Sequence, residues 1–213
     1  MKTFPITDKT EITRLAKRGS YDQETIYAIL DEALFCTLAF SKENQPFQIP
    51  TGFCRVEDKI YVHGSVGSSY MRDLAEKKSP VCISVMLVDG LVLARSAFHH
   101  SVNYRSVVVF GVPEVVTDAD ELYKSLEVFT EKICPGRWAD VRKPTAGEWK
   151  ATMVLSFTIT EASAKIRTGP PKDDEEDYDL NVWAGVWPLQ QHRLNPIPDP
   201  VLKDGISLPD YLK

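Results

Sequence analysis

A succession of short apolar runs, each closed by a polar or glycine-bearing stretch, leaves this chain few folds to choose from. Leu34 to Phe40, Phe47 to Arg55, Ile60 to His63, Val81 to Val88, Leu91 to Ala94, Tyr104 to Val116 and Thr152 to Thr160 are the runs, and Ala164 to Thr168 continues the last. They are too short for helices and read as strands. Ser41-Lys42-Glu43-Asn44-Gln45-Pro46 and Glu57-Asp58-Lys59 are turn-like, so the first strands pair as antiparallel hairpins. Asp89-Gly90 signals a turn or bulge, and Pro113 interrupts its strand near the end, where an edge or bulge tolerates it.

Helices are few. Asp22 is a candidate cap for a helix with Ile26, Ile29, Leu30 and Ala33 on one face, Met71, Leu74 and Ala75 have helical spacing, and Asp118 opens a helix with Leu122, Leu126, Phe129 and Ile133 in register. Pro135-Gly136 stops that last helix. The fold class that follows is mostly β (α+β): antiparallel strands, apolar over nearly all their length, best hidden by closing into a barrel with peripheral helices or a second subunit outside. One domain is expected from 21 to 190, after a polar arm (1–20) and before a proline-rich tail (191–213).

Composition narrows the function. The formal net charge of −5 and the pI near 5.4 provide no basic field for nucleic acid or an anionic membrane surface. No apolar run has the roughly 20 residues of a spanning helix, and Met1-Lys2-Thr3-Phe4-Pro5 leads into polar residues, so the expected location is cytoplasmic. Cys36, Cys54, Cys82 and Cys134 have no Cys-x-x-Cys spacing and read as packing thiols. Asp173-Asp174-Glu175-Glu176-Asp177 lacks the glycine-centred spacing of a calcium loop and reads as a solvated loop; no metal site is expected.

Chemistry concentrates in His99-His100-Ser101-Val102-Asn103-Tyr104-Arg105-Ser106, which runs directly into Val107-Val108-Val109-Phe110-Gly111. Arg105 has the fork for a phosphate or carboxylate, with Asn103 and Ser106 to orient it, which suits a phosphorylated cofactor; the alternative is an ion pair with one of the many acids. Gly64-Ser65-Val66-Gly67-Ser68-Ser69 feeds the helix beginning near Tyr70 and offers hydroxyls and backbone N–H groups to a phosphate, or a plain cap.

Arg18-Gly19-Ser20-Tyr21-Asp22, Ile49-Pro50-Thr51, Tyr61-Val62-His63-Gly64-Ser65, Asp89-Gly90-Leu91-Val92-Leu93-Ala94-Arg95-Ser96, His100 to Val107 and Trp183-Ala184-Gly185-Val186 together resemble the pyridoxamine 5'-phosphate oxidase-like flavoproteins, most of all the branch that includes the nitroimidazole-resistance reductases. The similarity runs over about residues 14 to 189. It implies a split β-barrel homodimer with FMN in clefts between the subunits. By resemblance, Pro50, Thr51, His63, Gly64 and Ser65 lie along the isoalloxazine edge, Ser68 and Ser69 meet the phosphate, Asn103, Arg105 and Ser106 lie on a flavin-facing strand, and Trp183 and Trp187 approach the partner's flavin. One departure is plain: Ser68-Ser69-Tyr70 stands where pyridoxamine-phosphate oxidases carry Ser-Arg-Lys, so a basic partner must come from elsewhere, with Arg72, Arg105 and Lys165 the candidates.

The function these features imply is an FMN-dependent oxidoreductase. NAD(P)H or another donor would charge the flavin, a small planar acceptor would take the electrons, and His63 or Tyr104 would supply a proton. The alternative is a non-catalytic flavin- or haem-binding module acting as carrier or sensor.

Overall fold

The computed structural model describes residues 2–213, and its strands fall into two antiparallel sheets. In chain order the elements are β1 (Gly19–Ser20), α1 (Gln23–Glu32), β2 (Phe35–Lys42), β3 (Gln45–Gly52), β4 (Cys54–Val56), β5 (Lys59–Ser65), α2 (Ser69–Lys77), β6 (Val81–Leu93), β7 (Ser101–Gly111), β8 (Glu114–Val115), α3 (Ala119–Ile133), α4 (Arg137–Asp140), α5 (Ala146–Ala151), β9 (Thr152–Thr158), β10 (Glu161–Arg167) and β11 (Gly185–Pro188). The larger sheet runs β1-β10-β7-β6-β2-β3, with β11 added to the far end of β6; the smaller runs β4-β5-β9-β8.

Local chemistry explains the boundaries. The Asp22 carboxylate accepts the Thr25 N–H at 2.9 Å and starts α1, and Asp118 does the same for α3 through Glu121 at 2.8 Å. The β2–β3 turn is tighter than the sequence suggests: strand pairing continues to Lys42↔Gln45, and Glu43 and Asn44 turn the chain with φ of 52° and 64°, the double positive φ of a two-residue hairpin. Asp89-Gly90 is a bulge within one long strand, since the β6–β7 register shifts between Val88 and Gly90 while pairing continues on both sides.

The run read from Phe47 to Arg55 as one strand is divided. It belongs to the large sheet as far as Gly52, turns at Phe53 and enters the small sheet at Cys54. Two other connections cross in the same way, Val112-Pro113 between β7 and β8, and Ile159-Thr160 between β9 and β10. These crossings split the barrel and close it.

The core fills the space between the sheets. Leu38, Ile83, Val107, Val109, Ala162 and Ala164 face inward from the large sheet, Ile60, Val62, Leu155 and Phe157 from the small one, and Phe53 plugs a corner. Helix α1 caps one end with Ile26, Ile29 and Leu30, and α2 contributes Met71 and Leu74. Each large side chain fully buried here contributes about 1.5–3 kcal/mol. Helix α3 lies outside, over Cys54, Tyr61 and Val154 of the small sheet, through Leu122, Leu126 and Phe129.

Cys36 and Cys54 are buried as small hydrophobes, and burial pushes both thiols up to about 12; Cys82 and Cys134 are half-buried. The expected solvated acidic loop needs correction at its first residue. The Asp173 side chain is fully buried, accepts the Arg95 backbone N–H at 2.9 Å, and pairs with the Arg95 guanidinium at 3.0 Å. It fastens the loop to the end of β6. No helix among the described residues is long and apolar enough to cross a membrane.

Candidate cofactor site

Period-2 alternation sends every second residue of the large sheet outward, and those residues make a shallow bowl. Strand register places Thr37 opposite both Pro50 and Ser84, Ser84 opposite Val108, and Met86 opposite Ser106. With Phe35, Cys36, Val85 and Val107 they line a concavity of about 420 Å³, a size that suits a small ligand. Its rim is apolar and open, with Phe35 69% and Met86 58% exposed. Such a floor, flat and greasy with a few hydroxyls, accepts a planar ring.

The structure brings two of the predicted site residues, Pro50 and Ser106, to this bowl. The Ser106 hydroxyl donates to the Lys165 carbonyl at 3.2 Å. Thr51 is next to Pro50 on β3, pairs with Cys36, and donates through its hydroxyl to the Gly52 carbonyl at 3.3 Å.

A second group of predicted residues gathers where β5 feeds α2. Ser65 Oγ accepts the Gly67 N–H at 3.1 Å, and Ser68 occupies the helix cap position with no side-chain capping bond. The Ser68 hydroxyl and the first-turn N–H groups from Ser69 onward are therefore available to an anion. Gly64 packs over Met71. Arg72, a candidate basic partner, donates to the Val66 carbonyl at 3.1 Å and so braces the loop.

His63 and Tyr104 are not brought together. His63 lies on β5 of the small sheet, edge-on to the Phe129 ring of α3 at 4.3 Å between centroids. Neither of its ring nitrogens has a hydrogen-bond partner among the described residues, and burial holds its pKa below the usual histidine value, so it is neutral at pH 7. Tyr104 is half-buried on β7 of the large sheet, opposite Val88 and Arg167. Neither residue lines the bowl.

Arg105 departs from the expectation of a phosphate fork. Its guanidinium reaches Asp89 through Nε at 3.0 Å and Nη2 at 2.8 Å, and Glu32 through Nη1 and through Nη2 at 2.8 Å. Two carboxylates absorb its donors and tie the end of α1 to the β6 bulge; the bonds from Arg105 hold the Glu32 carboxyl below its ordinary pKa. The ion-pair alternative is what the chain adopts. Asn103 is also internal: it is buried, its Oδ1 accepts from Arg167 and its Nδ2 donates to the Gly169 carbonyl at 3.2 Å.

Trp183 and Trp187 are 68% and 64% exposed. Glycines set their positions. A Cβ on Gly185 would lie 2.9 Å from the Trp183 ring, so this glycine lets that ring fold back on its own segment, and one on Gly90 would lie 3.0 Å from Val186 and 3.1 Å from the Trp187 carbonyl, so Gly90 permits β11 to lie close against β6. His99 Nε2 is 3.1 Å from Asp174, and His100 Nδ1 is 3.0 Å from the Ser96 carbonyl, contacts that order the β6–β7 loop.

The reading from sequence missed Thr37, Ser84, Met86 and Val108 on the bowl floor. The signal was present in Ser84-x-Met86 and Ser106-x-Val108, which alternate with the inward Ile83, Val85, Val107 and Val109. It also missed Arg167, which is 7% exposed and has no carboxylate partner among the described residues.

Comparison with known proteins adds to this geometry. A family model described as pyridoxamine 5'-phosphate oxidase matches residues 22–166. Among solved structures, the flavocytochrome Anf3 from Azotobacter vinelandii is 39% identical, with 97% of this chain and 95% of that one covered and a TM-score of 0.89. The FAD and heme binding protein from Mycobacterium smegmatis is 37% identical, covering 91% and 95%, with a TM-score of 0.86. A protein described as a 5-nitroimidazole antibiotic resistance protein, from Bacteroides thetaiotaomicron, shares the fold at 19% identity over 70% of this chain and 86% of its own, with a TM-score of 0.59. No curated protein matches the chain.

Proposed function

Because the chain belongs to the pyridoxamine 5'-phosphate oxidase family, we propose that it is a flavin-dependent redox protein that also carries a haem, working as a homodimer with the flavin between the outer faces of two large sheets. One observation carries the reading: across 91% or more of its length the chain is 37–39% identical to a flavocytochrome and to an FAD- and haem-binding protein.

The residues fit both groups. For the flavin, the bowl supplies an apolar floor for the ring, with the Thr37, Ser84 and Ser106 hydroxyls beside it, and the Ser68-Ser69 helix start supplies unspent N–H groups. Its exposed rim of Phe35 and Met86 is the kind of surface that a second subunit covers. For the haem, His63 supplies a neutral imidazole with both nitrogens unbonded, the form in which histidine ligates a metal. Bound there, a flavin and a haem would supply two-electron and one-electron chemistry, respectively.

The lowered pKa changes the part given to His63. A neutral imidazole at pH 7 accepts a proton or binds a metal; it does not arrive as an acid. Tyr104, two residues along β7 from Ser106 but outside the bowl, could act as proton donor only from its rim, and NAD(P)H or another reductant is the electron source in this reading. The bowl asks only for the flavin ring, the resemblance to the oxidases suggests FMN, and the FAD of the Mycobacterium smegmatis protein favours the dinucleotide.

Native mass spectrometry of freshly purified protein tests the proposal, reporting subunit number, flavin mass and haem mass together. The expected result is a dimer retaining both, with His63→Ala losing haem absorbance while keeping flavin. A colourless monomer that takes up neither group would reject the proposal. Steady oxidation of NAD(P)H with an added electron acceptor separates an oxidoreductase from a carrier or sensor.

A further inference from the structure

Beyond the bowl, the large sheet ends in a run of cations that the fold leaves without counter-charges. Lys165 stands opposite Ser106 of the bowl on one side and opposite Gly19 of β1 on the other. Its Nζ donates to the Arg14 carbonyl at 3.0 Å. Arg14 and Lys17 are exposed and Arg18 half-buried in the segment leading into β1. At the end of β10, Arg167 is more than nine-tenths buried, its Nε has no partner, and its remaining contacts are the neutral oxygens of Asn103, Gly169 and Pro170. Among the described residues, none of these five cations has a carboxylate within 4.0 Å.

That arrangement is costly in isolation. Burial and the neighbouring Arg18 charge both press the Arg167 pKa down, and the chain as a whole is acidic, so acids were available for pairing elsewhere. Arg105 took two of them. A buried arginine beside like charges is stabilised by an anion, and a fork of N–H donors is matched best by phosphate or carboxylate oxygens.

We infer that the edge formed by Arg14, Lys17, Arg18, Lys165 and Arg167 seats the pyrophosphate of a nucleotide whose flat ring occupies the adjoining bowl. The inference rests on the flavin reading above for the identity of that ring. Two further observations support it. Ser68-Ser69-Tyr70 lacks the arginine and lysine of the oxidases it resembles, Arg105 is engaged by two carboxylates and Arg72 by its own loop, which leaves Lys165, bonded to the Arg14 carbonyl at the sheet edge but to no carboxylate among the described residues, as the candidate basic partner. Leu15, at φ 58° and ψ 48°, holds a left-handed conformation at the start of the short 3-10 turn Ala16–Arg18, which it directs along the sheet edge; strained backbone of this kind gathers at ligand clamps. The pyrophosphate belongs either to the flavin's own ADP half or to a pyridine nucleotide that docks to reduce it.

The test compares wild type with the double variant Lys17→Ser/Arg18→Gln and with Lys165→Met, leaving Arg167 in place because it also holds the loop after β10. Retained flavin is released and identified by chromatography, and ADP and inorganic pyrophosphate are titrated calorimetrically into the protein as purified. Matching circular dichroism and melting temperature establish that the variants fold. If the site holds the flavin's own ADP half, wild type retains FAD and binds no ADP, and the variants retain at least tenfold less FAD. If it serves the donor, flavin-loaded wild type binds one ADP per chain and the variants bind at least tenfold more weakly, with unchanged flavin. FMN retained without ADP binding overturns the inference, as does equal FAD retention and equal ADP affinity in all three proteins. A wild type with no flavin rejects the earlier reading, and its ADP titration then decides the edge separately.

Discussion

At Lys132 a long cationic side chain of α3 is tucked under the barrel. Its Nζ donates to the Leu30 carbonyl at 2.9 Å and lies 3.6 Å over the Phe53 ring, and burial pushes its pKa down to about 8. A base whose folded pKa is lowered binds fewer protons folded than unfolded between the two values, so its contribution to stability rises from about pH 8 upward. Cys36 and Cys54 act oppositely above about pH 9, where the unfolded thiols ionise and the folded ones do not. The difference between two proteins isolates the lysine: urea midpoints at pH 7 and pH 9 should show wild type gaining on Lys132→Met as pH rises, and a constant gap would refute the assignment. Arg105 gives the companion case. Arg105→Ala strands Glu32 and Asp89, and should cost about 1–2 kcal/mol in urea unfolding without lowering retained flavin. Selective flavin loss would restore the phosphate-fork expectation. Sequence alone made Arg105 conspicuous because a strand carried it beside Asn103 and Ser106, but its partners are distant in the chain, at Glu32 and Asp89. Only the crossing of α1 over β6 and β7 brings them close.

Elements were legible where local chemistry decides them. Asp22 and Asp118 cap the helices they were expected to cap, and the inward residues of β6, β7 and β9 follow the apolar pattern. Two elements were illegible for stated reasons. Phe47 to Arg55 is one apolar run but serves two sheets, because the corner at Phe53 is set by the opposing layer and not by a turn residue. The connection after Pro135 contains α4 and α5, whose short lengths leave no periodicity; α5 is announced by Thr145 and Glu148, a reciprocal capping pair, and Trp138 is buried edge-on to Tyr123. Strand β11 depends on Gly90 in the β6 bulge. Gly90→Ala places a methyl group within 3.0 Å of Val186 and 3.1 Å of the Trp187 carbonyl, so β11 should detach. The check is limited proteolysis after residue 180, expected to speed up several-fold while the barrel's melting temperature shifts little; unchanged cleavage would mean that the backbone absorbs the methyl.

As a whole, the molecule carries a greasy face on its large sheet that its own chain leaves open, centred on Phe35, Met86 and Val88. If a second copy covers it, Met86→Asp buries a charge in that contact, and light scattering should show the dimer dissociating at concentrations at least tenfold higher than wild type, with flavin lost in proportion. A variant as dimeric and as yellow as wild type would place the contact elsewhere. The three crossings at Phe53, Val112-Pro113 and Ile159-Thr160 carry a different implication. Neither layer can melt while its mate survives, because each backbone segment that leaves one is anchored in the other. Heat should therefore take the barrel apart in a single cooperative step, with calorimetric and van't Hoff enthalpies equal in cofactor-free protein; in a fold stitched this way, partial failure is not an intermediate the barrel can populate.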